Sequence, residues 1–136
     1  MKALKKAALA ILATALAVSI ASAEVVNKPG QRVDLSDHVR AGEITVFEFH
    51  SDQCASSQRM SQTLEELDRV DDGLIVKKVS IDRPGVSGID WNSPVAEQYD
   101  IQSVPHLVIY RGTELIAEGE DATAFLAKYI EKHGDY

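Results

Sequence analysis

Apolar side chains, several of them β-branched or aromatic, fill the stretch Ile44 to Phe49, and this reads as a buried central strand. A short polar turn follows. Met60, Leu64 and Leu67 then recur at helical spacing, predicting a helix from Cys54 to about Val70 with Glu65, Glu66, Asp68 and Arg69 on its outer side. Asp71-Asp72-Gly73 should end it. Leu74 to Ile81 predicts a second strand, parallel to the first because a helical crossover separates them. Asp82 to Asn92, with Pro84 and two glycines, reads as a loop. Ser93 should cap a short helix, Pro94 to Tyr99, with proline at its first position. His106 to Arg111 and Glu114 to Glu118 alternate around Arg111-Gly112-Thr113, the pattern of a hairpin. Asp121 should cap a last helix, Ala122 to about Lys132, that buries Phe125, Leu126, Tyr129 and Ile130. Upstream, Val33-Asp34-Leu35 is expected to add a short strand, with Ser36 capping a brief helix through Arg40.

The first residues belong to another class of segment. Lys2, Lys5 and Lys6 precede an apolar run, Ala7 to Ile20, and Ala21-Ser22-Ala23 is a small-x-small cleavage signal before Glu24. Residues 1–23 therefore read as a cleavable secretory signal, 24–32 as an extended arm and 33–136 as the folded domain. The apolar run falls short of the roughly 20 residues a spanning helix needs, so no stable membrane insertion is expected once the leader is cut; an uncleaved anchor is the alternative. The expected location is periplasmic or secreted.

Composition narrows the partners. Over 136 residues, 21 acidic side chains outnumber 14 basic ones, and losing the three leader lysines makes the chain more acidic still. That balance argues against nucleic acid and anionic membrane surfaces, both of which need a basic patch. The single cysteine, Cys54, cannot form an internal disulfide in an oxidising compartment, so any disulfide joins it to another molecule. It sits where a strand hands over to a helix N-terminus, where amide N–H groups and the helix dipole favour a thiolate. Asp52 opposes that effect.

In the order and spacing of these elements the chain resembles the thioredoxin family: a strand, a Cys-X-X-Cys pair opening a helix, and a later cis-proline loop before an antiparallel hairpin. Here the pair reads Cys54-Ala55-Ser56-Ser57, and the later loop Ser103-Val104-Pro105-His106. The resemblance covers most of the chain after about Val33. It implies an α/β thioredoxin-like fold, a central mixed β-sheet flanked by helices. Glu48, six residues before Cys54, falls where the family carries a buried acid, and Lys78 where it carries the lysine partner. Gln53 replaces the family's tryptophan. As the resemblance implies, Val104 and Pro105, with His106 beside them, would present a backbone edge to an extended partner.

Ser57 cannot attack a disulfide, but its hydroxyl can donate to the sulfur of Cys54. Three outcomes follow from the missing second thiol: lasting mixed-disulfide capture, release by an outside thiol, or a redox-inactive module that binds proteins through the fold. The expected partners are client proteins or small-molecule thiols, with a disulfide-linked dimer through Cys54 as a further outcome. Glu48 is either a proton relay with a raised pKa or a charge held by Lys78. Trp91 either pins the long loop by burial or shapes a partner-binding groove. No cofactor is expected. His50 and His106 lack the spacing of a ligand motif, so no metal is assigned. A monothiol glutaredoxin lacks support, because the stretch before Cys54 is acidic and polar where those proteins carry a basic residue.

Overall fold

A computed structural model describes residues 23–133; the leader expected over residues 1–23 lies, save for Ala23, outside them. Five strands form one sheet in the order β1-β3-β2-β4-β5: Glu24–Val25, Ile44–His50, Leu74–Ser80, His106–Arg111 and Glu114–Glu118 are β1 to β5. β2 pairs parallel with β3, Ile44 opposite Leu74 through His50 opposite Ser80, and antiparallel with β4, Phe49 opposite His106. Among the described residues three α-helices accompany the sheet: α1 (Ala55–Val70), α2 (Pro94–Gln98) and α3 (Glu120–His133).

β2 carries a near-continuous apolar run because both of its faces are covered. Phe47, Phe49, Val79 and Ile81 form one core with Leu35 and with Val95 of α2. Val46, Val76 and Ile109 form the other with Leu64 of α1 and Leu126 of α3. Glu48 and His50, which alternate with the phenylalanines, therefore face the second layer, beneath α1.

Local chemistry moved several boundaries. No strand forms at Val33-Asp34-Leu35. Asp34 accepts the N–H of Ser36 and caps a 3-10 turn over Leu35–His38, a role expected of Ser36 itself. The sheet gains its edge strand earlier, in the segment expected as an arm, where Glu24 and Val25 pair with Lys77 and Lys78. The last helix starts at Glu120, not after Asp121: Gly119, at φ +62°, turns the chain and its carbonyl accepts the N–H of Thr123. In α3 only Ala122 and Leu126 are buried, and Ile130 is exposed. Glu65 and Asp68, expected on the outside of α1, are half-buried. They turn toward β3, where Glu65 meets Lys78 and Asp68 accepts the N–H of Val76.

Among the described residues no helix is long and apolar enough to cross a membrane.

Candidate functional site

The strand β2 delivers the chain to a tight polar turn, and hydrogen bonds fix that turn before α1 begins. Asp82, just after β3, accepts from the Ser51 hydroxyl at 2.7 Å and from the Asp52 N–H at 3.0 Å. The Ser51 hydroxyl oxygen in turn accepts the N–H of Gln53. Cys54 is the N-cap of α1, in extended conformation, and its carbonyl accepts the N–H of Gln58.

The thiol of Cys54 is partly exposed. Its sulfur lies 3.1 Å from the hydroxyl of Ser56 and 3.7 Å from the carbonyl oxygen of Val104. The turn after β2 and the loop before β4 therefore meet at this sulfur, and the Val104–Pro105 peptide bond in that loop is cis. The Ser56 hydroxyl is the main reason the thiol pKa lies below its ordinary value. The backbone N–H groups of Ser57 and Ser56 and the more distant Arg59 charge add to it, against a small opposing burial.

The hydroxyl at the sulfur thus belongs to Ser56, where the sequence pointed to Ser57. Ser57 is completely buried, and its oxygen accepts the N–H of Ser51, which ties the first turn of α1 back to the strand end. Replacing Ser56 with alanine is expected to raise the thiolate midpoint and slow alkylation at pH 7 about two- to five-fold, leaving both backbone donors in place. Ser57→Ala is expected to cost about 1 kcal/mol of stability and leave the thiol titration where it is. Absorbance titration of the thiolate separates the two; equal midpoints for wild type and Ser56→Ala would contradict the assignment.

Glu48 lies fully sealed beneath α1. Its Oε1 accepts from the Ser61 hydroxyl at 2.5 Å. Burial pushes its pKa up to about 7, opposed by the Ser61 hydrogen bond and the Lys78 charge, and assisted by the Glu65 charge. Lys78 is opposite Glu48 in the sheet register, yet its ammonium pairs with Glu65 at 3.4 Å. The direct Glu48–Lys78 pair, one of the two sequence readings of Glu48, does not form, and a serine on α1 takes its place.

Trp91 does not pin its loop by burial: it is 40% exposed. Charge does that work. The Arg83 guanidinium clasps the buried Asp90 carboxylate through Nε at 2.7 Å and Nη2 at 3.1 Å, and the Asp90 N–H donates to Asp82. Asp82 therefore joins the loop to the turn that precedes Cys54. Sequence reading missed Ser56, Ser61, Asp82 and the Arg83–Asp90 clasp. The acid–base pair at the two ends of the loop was the one signal that pointed to any of them.

His106 stacks edge-on against Phe49 and its Nε2 lies 3.8 Å from Glu118 of β5. His50 leaves β2 from the opposite face, because neighbouring strand positions alternate, so the two imidazoles do not converge. Among the described residues no group of three or more His, Cys, Asp or Glu side chains is placed to hold a metal ion.

No protein-family model and no curated protein matches the sequence. Solved structures do match. Thioredoxin f from spinach chloroplast is 17% identical, with 82% of this chain and 92% of that chain covered and a TM-score of 0.59. Thioredoxin O2 from Arabidopsis thaliana in its oxidised state is 21% identical over 82% and 94% of the two chains, with a TM-score of 0.52. A designed protein is 22% identical over 82% and 97%, with a TM-score of 0.56. With the mixed five-stranded sheet and helices on both faces, these likenesses show that the chain has an α/β thioredoxin-like fold.

Proposed function

We propose that the protein is an exported thiol protein that works through one sulfur. The Cys54 thiolate attacks a disulfide of a client protein or small molecule, and a bond forms between Cys54 and one partner sulfur. The other partner sulfur leaves as a thiolate and takes up a proton, so no external oxidant or reductant is needed for this step. The observation that carries the reading is the place of the sulfur: partly exposed, beside the Ser56 hydroxyl and within 3.7 Å of the Val104 carbonyl.

Val104 and Pro105 supply the backbone edge for an extended partner, with His106 at the entry to β4. Trp91, exposed on the loop tied to the Cys54 turn, adds apolar contact for the same partner. Glu48 stores the proton that the leaving thiolate needs, and Ser57 and Lys78 hold the surrounding framework. Without a second cysteine, an outside thiol or a partner's own thiol ends the mixed disulfide, and when that thiol is Cys54 of a second copy, two copies are joined and the partner leaves as a thiolate.

The folded full chain, treated at pH 7 with an aromatic disulfide reagent, is expected to form one mixed disulfide at Cys54 that lasts until thiol is added. Modification only after denaturation would overturn the reading in favour of a redox-inactive protein-binding module. Export is checked on protein isolated from its own cells, whose intact mass is expected to match a chain beginning at Glu24.

A further inference from the structure

Two buried side-chain atoms among the described residues have no hydrogen-bond partner in the protein: Glu48 Oε2 and His50 Nε2. They sit two residues apart on β2, so both side chains leave the same face of the sheet, beneath α1, from Cα positions about 7 Å apart. Both residues are sealed, at 0% and 6% exposure. Their remaining polar atoms have definite neighbours. Glu48 Oε1 is held by Ser61, and His50 Nδ1 faces Asp52 Oδ1 at 3.7 Å. The Asp52 side chain is 81% exposed. Positions 48, 50 and 52 thus lead in order from the sealed interior to solvent, beside the turn that carries Cys54. An unpaired carboxyl oxygen and an unpaired imidazole nitrogen are each costly in a core, and one water held between the two would serve both.

We propose that His50 is a positioning residue that carries protons between the buried Glu48 carboxyl and solvent, with Asp52 at the outer end. In the outward step Glu48 Oε2–H gives its proton through a bridging water to His50 Nε2, while His50 Nδ1–H gives its proton, likewise through water, to the Asp52 carboxylate 3.7 Å away. The imidazole stays neutral and changes tautomer, and Asp52 passes the proton to water. The reverse sequence reloads Glu48. Nothing is oxidised or reduced. The proposal deepens the thiol reading and rests on it only for the use of the proton at the leaving sulfur; the relay itself needs no thiol chemistry.

The charges around the pair suit transit better than storage on the ring. Lys78 from β3 and Glu65 from α1 act on both groups, Asp52 and Asp82 act on His50 from the loops, and β4 places the uncharged Leu107 opposite Glu48. Burial, with Lys78 assisting, pushes the His50 pKa down against the three carboxylates, so the imidazolium is disfavoured. A ring that cannot keep a second proton passes it on.

The test is a pH titration of the full chain by NMR, reading the imidazole nitrogens of His50 and the side-chain carboxyl carbon of Glu48. In wild type the His50 nitrogens are expected to show a tautomer change that follows Glu48, with a midpoint near 7, and to lose it in Glu48→Gln. In His50→Gln the Glu48 midpoint is expected to move by about one pH unit. Matching His50 profiles in wild type and Glu48→Gln, or an unmoved Glu48 midpoint in His50→Gln, would overturn the relay. A histidine that only fills the core keeps one tautomer as Glu48 ionises, whatever its chemical shift does. Disulfide-reagent modification is read on the same samples: coupling without Cys54 reactivity would remove only the thiol reading, and reactivity without coupling only the relay.

Discussion

Phe49→Ala is expected to cost about 3–5 kcal/mol of folding stability, a large share of the 5–15 kcal/mol typical of a single domain. The ring is fully buried on the central strand, where the surroundings relax only partly into the space it leaves. Its loss acts on more than volume. The Tyr99 ring at 5.2 Å follows α2, and the His106 ring at 5.8 Å opens β4, so one side chain holds two elements against β2. Urea unfolding should show a much lower midpoint with the slope retained. Val25→Ala, on the exposed sheet edge, should stay within about 0.5 kcal/mol of wild type. A midpoint for Phe49→Ala close to that of Val25→Ala would refute the assignment of Phe49 as the anchor.

Glu48→Gln is expected to stabilise the protein by about 3 kcal/mol above pH 8 and to change little below pH 4. The sign follows from the direction of the shift. Burial raises the folded-state pKa from 4.5 to about 7, so the protonated carboxyl is the form the fold prefers. Its contribution is fully present below the ordinary value and is lost as pH rises through 7; a displacement of that size corresponds to about 3 kcal/mol. Glutamine keeps an oxygen for the Ser61 hydroxyl and cannot ionise. His50 works in the opposite sense: its folded pKa is lowered, so its contribution is present above about 6.5 and is lost as pH falls through the folded value. The slope left on the acid side of the variant should therefore include that of His50, with the lowered Asp34 and Asp90 carboxyls adding to it at more acid pH. Unfolding midpoints of wild type and variant that run parallel from pH 5 to 9 would contradict the burial argument.

The elements legible in the sequence were those whose burial imposes a period. β2, α1, β3 and the hairpin lie within a residue or so of their apolar patterns, because each packs against a core that demands them. The two-residue β1 carries no periodic signal, and only its pairing with Lys77 and Lys78 defines it. At the candidate site, the position of Cys54 between the strand end and the helix start was legible. Which hydroxyl meets the sulfur was not, because residues 56 and 57 differ only by the 100° that a helix turns per residue, and that rotation sends one to the thiol and the other into the core. The register placed Lys78 correctly beside Glu48, but the nearer carboxylate on α1 took its charge. The size of Trp91 suggests an anchor, whereas the loop is held by the Arg83–Asp90 clasp, leaving the ring free to face outward.

On the thiol reading proposed above, Ser57 stands, sealed and hydrogen-bonded, where the family resemblance puts a second thiol. The lifetime of any adduct on Cys54 is then set outside the protein, by the concentration and strength of thiols in its surroundings. In a reducing medium such an adduct would be brief, and in an oxidising one the same protein would keep its catch.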